Sequence, residues 1–242
     1  MKIREKMMLD RDGLSEHGPI NVVIFGDSVS HGAVNGYMDY ENVYWNLLKR
    51  KLYAVRDYVP INMICASIGG TTAKASVERL ESQVLKHEPD LVIVCFGLND
   101  VNRELEDYLW ALEQIFGGCL ERDLDVIFMT PNMLNTYVAL EPGARHYEYA
   151  HKTAKAQNEG RMDLFMDSAR ALARRMGVPV CDCYAKWKEL SKTQDVTMLL
   201  ANRINHPTSE MHHLFADALY EMIMREEASA SAGTEDDAMF QG

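Results

Sequence analysis

The chain is 242 residues long, 47% hydrophobic and 25% charged, with a formal net charge of −11. That length and apolar content are enough for a full core in one large domain, and the acidic balance argues against polyanionic nucleic acid as a partner. No apolar run approaches the ~18 residues of a membrane span, and Met1 to Glu16 lacks the apolar stretch of a secretory signal, so no membrane partner and a cytoplasmic location are expected.

In chain order, residues 1–19 read as an irregular polar lead-in closed by Gly18-Pro19. A strand then runs from Asn21 to Phe25 and empties into Gly26-Asp27-Ser28. Four apolar, mostly β-branched residues before such a turn are the pattern of a buried parallel strand. The tripeptide alone is short enough to mark an ordinary strand-to-helix turn, so the case for Ser28 rests on later strand ends. Tyr40–Tyr58 carries helix-period apolar residues, and Ile61–Cys65 makes a second strand stopping at Ala66-Ser67-Ile68-Gly69-Gly70-Thr71-Thr72. A helix is predicted over Thr72–His87 with a threonine N-cap. Leu91–Phe96, six apolar residues without a charge, is a strand ending in Gly97-Leu98-Asn99-Asp100.

A helix near Glu104–Leu120 precedes the strand Asp125–Met129. From Met133 to Asn158 the periodicity weakens, and Tyr137, Tyr147 and Tyr149 with Pro142-Gly143 suggest a long excursion over the strand ends. Long loops in compact domains are usually functional or mobile, so these tyrosines, Tyr137 first, are candidates to line a substrate pocket. The helix Met162–Met176, the strand Val178–Cys181, a short helix Tyr184–Leu190 and a last helix Ser209–Arg225 complete the pattern. Residues 228–242 are small, polar and acidic, the composition of a disordered tail. Strand-helix alternation with five strands predicts one doubly wound α/β domain over residues 20–226. The five cysteines include Cys65 and Cys95 in apolar runs, expected as small buried hydrophobes, and a lone Cys181-x-Cys183, which lacks the second pair of a zinc site. No metal and no cofactor are expected.

Parallel strands point their carboxyl ends the same way, so the turns at Ser28, Gly69-Gly70 and Asn99 converge on one sheet edge. His206-Pro207, just before the final helix, returns there too. This set suits acyl transfer. Ser28 would attack a carbonyl carbon, with His206 taking its proton. The Ser28 and Gly70 N–H groups and the Asn99 amide would hold the oxyanion. Other polar residues have plainer explanations. Asp27 and Asp100 read as turn residues, and His31, close after the nucleophile turn, reads as a surface-loop histidine ahead of a pocket-lining one.

Four blocks resemble the SGNH hydrolases of the GDSL esterase/lipase superfamily: Ile24-Phe25-Gly26-Asp27-Ser28-Val29-Ser30, Ala66 to Thr72, Gly97-Leu98-Asn99-Asp100 and Asn205-His206-Pro207. The resemblance spans roughly residues 22–220 and implies a flavodoxin-like three-layer α/β/α fold. It also implies a serine ester hydrolase that needs no cofactor, acting on a small ester such as an acetylated carbohydrate. A lysophospholipase or thioesterase is the alternative within the family, and a non-catalytic flavodoxin-like binding module the alternative outside it. The nucleophile falls on Ser28, the oxyanion glycine on Gly70 with Gly69 the close alternative, the amide donor on Asn99 and the base on His206. One position departs from the pattern: the family's acid stands three residues before the histidine, where this chain has Arg203. Either a Ser28–His206 dyad works with a backbone carbonyl on Nδ1, or Asp195 or Asp182 supplies the acid, or the enzyme is weak or inactive. Arg203 itself is a candidate contact for an acidic or hydroxyl-rich substrate.

Overall fold

The computed structural model describes residues 2–140 and 146–225. Five parallel strands form one sheet: β1 (Ile20–Gly26), β2 (Ile61–Cys65), β3 (Leu91–Cys95), β4 (Asp125–Met129) and β5 (Val180–Cys181), in the order β2-β1-β3-β4-β5. β3 is buried throughout, as an uncharged β-branched run covered on both faces must be. β2 lies at the edge and exposes Cys65, contrary to the expectation of a buried thiol, because an edge strand lacks cover on one side.

The helices of the first half are α1 (Lys2–Met7), α2 (Arg11–His17), α3 (Ser28–His31), α4 (Tyr44–Tyr53), α5 (Ala73–Ser76) and α6 (Leu80–Gln83). Those of the second half are α7 (Leu105–Leu120), α8 (Tyr147–Asn158), α9 (Arg161–Arg175), α10 (Cys183–Leu190) and α11 (His212–Met224). One layer brings α1, α4, α10 and α11 together, and the other α5, α7, α8 and α9, giving the three-layer α/β/α arrangement. No helix among the described residues is long and apolar enough to cross a membrane.

Three segments differ from the sequence reading. Residues 2–17 are not an irregular lead-in but two helices. α1 buries Ile3 and Met7, one turn apart, and Asp10 caps α2 by accepting the Gly13 N–H. Lys6 pairs with Asp90 at 2.9 Å, so a charged helix is anchored by tertiary contacts that composition does not show. The helix expected over Thr72–His87 is broken into α5, α6 and two 3₁₀ turns. The excursion after β4 is shorter than expected, because Tyr147 and Tyr149 stand on α8. Pro142-Gly143 and residues 228–242 lie outside the described residues.

β1 lies between β2 and β3, so the chain leaves it in one direction and later returns to its other side. That reversal opens a crevice beyond the carboxyl ends of β1 and β3. In register, Gly26 stands opposite Cys95. A Cβ at Gly26 would come 2.5 Å from the Cys95 carbonyl oxygen and from Ser30 Oγ, so only glycine lets β1 turn into α3 this close to β3.

Candidate active site

Ser28 begins α3 directly after β1, and Asp27 caps that helix by accepting the Val29 N–H at 3.1 Å. The cap fixes the serine at the tip of a tight turn with its side chain in the crevice. Ser28 Oγ lies 3.0 Å from His206 Nε2, and His206 Nδ1 lies 3.0 Å from the Val34 carbonyl oxygen. A carbonyl can only accept, so Nδ1 carries the ring proton and Nε2 is the atom free to receive the serine's. The two residues open into a cavity of about 880 Å³ that Gly69, Gly70, Asn99 and Tyr149 also line.

Both loops that present the pair are built by backbone-directed hydrogen bonds. Ala33 donates to Ser28 O at 2.9 Å, Val34 donates to Tyr37 O at 3.0 Å, and Ala33 bridges Met38. This small loop therefore holds the Val34 carbonyl at a set distance from Ser28. On the other side, Asn202 Oδ1 accepts the N–H groups of Ile204, Asn205 and His206 at 2.9–3.0 Å. Buried Asn132, just after β4, donates to Asn205 O at 2.9 Å, and Asn135 N–H donates to Ile204 O at the same distance. None of Asn132, Asn135 and Asn202 stands in a sequence motif that would single it out. The three asparagines shape the histidine loop through main-chain contacts, which carry no motif.

The candidate acids lie elsewhere. Asp195 accepts from the Tyr137 hydroxyl at 2.7 Å and from the Thr197 N–H at 3.0 Å. Asp182 caps α10, accepts from Thr130 Oγ1 at 3.0 Å and pairs with Arg170 at 2.5 Å. Neither is among the described residues that line the cavity, and the Nδ1 position they would need is filled by Val34. Tyr137 likewise turns to Asp195 and does not join the described cavity wall, where Tyr149 stands instead. Arg203 lines the cavity but curls its guanidinium onto Met198 O and Leu200 O at 2.9 and 2.8 Å, from a left-handed backbone with φ 58°. It thus ties the loop it stands on. Asp195→Ala is expected to change turnover by less than about tenfold; a drop near 10³ would put that carboxylate back on His206.

The candidate donors for a developing negative charge lie at the two neighbouring strand ends. Gly69 N–H donates to His31 Nδ1 at 3.3 Å, whereas the Gly70 N–H meets no acceptor among the described residues. Asn99 Nδ2 donates to Thr71 O at 3.0 Å and to Asp27 Oδ2 at 3.4 Å, which keeps its N–H end toward the glycine turn. Burial pushes the carboxyl groups of Asp27 and Asp100 up to about 7. Asp27 is held back in part by the Val29 N–H, and Asp100 by its bond from the Ala73 N–H at 2.8 Å.

Burial also lowers the His206 pKa from its ordinary value, and the Val34 carbonyl offsets part of that by holding the ring proton. The base works only when neutral. kcat/KM is therefore expected to rise with pH through an apparent pKa below the ordinary ~6.5 and to level off by about pH 7. A carboxylate on Nδ1 would raise that midpoint, so a limb centred at or above pH 7 would contradict the carbonyl arrangement.

Residues 24–214 match the family model of the GDSL-like lipase/acylhydrolase family. The uncharacterized lipoprotein YqeF of Bacillus subtilis is 24% identical, with 87% of this chain and 90% of that protein covered. Among solved structures, Axe2, an acetylxylan esterase from Geobacillus stearothermophilus, aligns with a TM-score of 0.67 at 21% identity, over 86% of this chain and 95% of its own. The acetyl xylan esterase AlAXEase aligns with a TM-score of 0.65 at 20% identity, over 85% of this chain and 100% of its own. At these identities the two structures share the fold.

Proposed function

The chain belongs to the GDSL-like lipase/acylhydrolase family and is a carboxylic ester hydrolase, and from that premise we propose that it removes small acyl groups, acetyl above all, from a carbohydrate through a Ser28 acyl-enzyme. The observation that carries the mechanism is the 3.0 Å contact of Ser28 Oγ with His206 Nε2, backed by Val34 O on Nδ1. Ser28 Oγ attacks the ester carbon while its proton passes to Nε2. The carbonyl oxygen becomes an oxyanion facing the Ser28 N–H, the Gly70 N–H and the Asn99 amide, one hydrogen of which leaves its long 3.4 Å contact with Asp27 Oδ2. As the C–O bond breaks, Nε2 returns the proton to the departing alcohol. Water then attacks the acyl-enzyme with the same base, releasing the acid and restoring Ser28. Each oxyanion donor of this kind contributes about 2.7–4 kcal/mol to the transition state.

The carbohydrate part of the reading rests on the polar lining of the cavity. Asn35 and the Tyr149 hydroxyl can match sugar hydroxyls there, and the acetylxylan esterases named above share the fold. Turnover should fall along p-nitrophenyl acetate, butyrate and octanoate, by about tenfold or more at the last, and an acetylated xylooligosaccharide should release acetate. Preference for octanoate would replace this reading with a lysophospholipase or thioesterase.

A further inference from the structure

His31 stands one helical turn after Ser28 on α3, so the two side chains share a face of the same short helix. Its Nδ1 accepts the Gly69 N–H at 3.3 Å, and its Nε2 lies 3.5 Å from the Tyr40 hydroxyl. Gly69 lies in van der Waals reach of both residues. A Cβ placed there would lie 3.6 Å from Ser28 Cβ and 3.9 Å from His31 Nδ1.

The turn carrying Gly69 and Gly70 is pinned at its ends. Ile68 N–H donates to Gly26 O at 3.2 Å, Thr71 Oγ1 donates to Ile68 O at 2.7 Å, and Asn99 Nδ2 holds Thr71 O. Between those pins stand two successive glycines, the second with φ +78°, the part of the backbone with the most torsional freedom. The His31 imidazole is the side chain that ties this middle section to the nucleophile's own helix.

We propose that His31 is a positioning residue: with Nδ1 unprotonated, it fixes the Gly69 amide plane and through it aims the Gly70 N–H at the oxyanion formed beside Ser28. This rests on the reading of Gly70 as an oxyanion donor and Ser28 as nucleophile. One side chain thereby sets the distance between nucleophile and donor, the quantity on which preorganised stabilisation depends.

Two variants test it. In His31→Asn, Oδ1 stands where Nδ1 stood and still accepts; in His31→Leu the bulk remains without an acceptor. On p-nitrophenyl acetate His31→Leu should lose about 10- to 100-fold in kcat, with KM changed less than about threefold. His31→Asn should stay within about threefold of wild type. Affinity for a boronic acid, which forms a tetrahedral adduct on the serine, should fall in step with kcat in His31→Leu and recover in His31→Asn. A packing role would instead shift the melting temperature and would not be rescued by asparagine. Wild-type kcat in His31→Leu overturns the inference. Hydrogen exchange at the Gly69 amide decides the tie without turnover: it should be faster in His31→Leu and near wild type in His31→Asn, and unchanged exchange in His31→Leu also overturns it. Loss of the esterase reading shows separately, as wild-type activity that survives Ser28→Ala.

Discussion

Ser28→Ala should lower kcat on p-nitrophenyl acetate by roughly 10⁴-fold or more, because among the described residues Ser28 Oγ is the hydroxyl within hydrogen-bond reach of His206 Nε2. The fold should survive. Among the described residues the Ser28 hydroxyl makes one side-chain hydrogen bond, to His206, and Asp27, not Ser28, caps α3. One such bond is worth about 1 kcal/mol net, which in a domain of this size moves Tm by roughly 2–4 °C. A full-length, cooperatively melting Ser28→Ala protein that retains a tenth or more of wild-type turnover would show that the chemistry lies elsewhere.

His206→Ala should be nearly as damaging, for a different reason. The nucleophile remains, but a serine hydroxyl is a weak nucleophile near neutral pH without an acceptor for its proton. Because the two residues act as a unit, their losses should not add. The double variant Ser28→Ala/His206→Ala should fall within about threefold of Ser28→Ala alone, since removing the base from a site with no nucleophile costs little more. Added imidazole should return part of the activity to His206→Ala and none to Ser28→Ala. Additive losses would mean that His206 supports the site in some way other than by accepting the Ser28 proton.

What could be read in the chain beforehand follows a physical division. Continuous apolar runs such as Leu91–Cys95 announce buried strands, and the polar turns after β1, β2 and β3 must share an edge once the strands are parallel. Ser28, Gly70, Asn99 and His206 were thus traceable from periodicity and the common direction of parallel strands, and the family motifs agreed with that set. Features built by main-chain contacts were not traceable. Nothing in the letters 202–206 says that one asparagine side chain gathers three successive N–H groups, or that His31 reaches Gly69. Asp195 and Asp182 are the carboxylates that the sequence offers in place of the acid expected at position 203. In space the first is drawn to Tyr137 and the second to a helix start and an arginine. The N-terminal helices escaped notice because their buried side chains are few and set among charges.

The Val34 carbonyl has a consequence for how this protein tolerates change. A triad acid is a side chain, and any single codon change can delete it. The acceptor here belongs to the main chain, and every amino acid placed at position 34 would bring the same oxygen with it. A saturation scan would therefore mark positions 28 and 206 as intolerant and, proline aside, rank position 34 by packing, concealing its part in orienting the base. Insertions, deletions or prolines that reroute residues 33–38 would expose it, because there the path of the chain, and not the identity of any residue, carries the function.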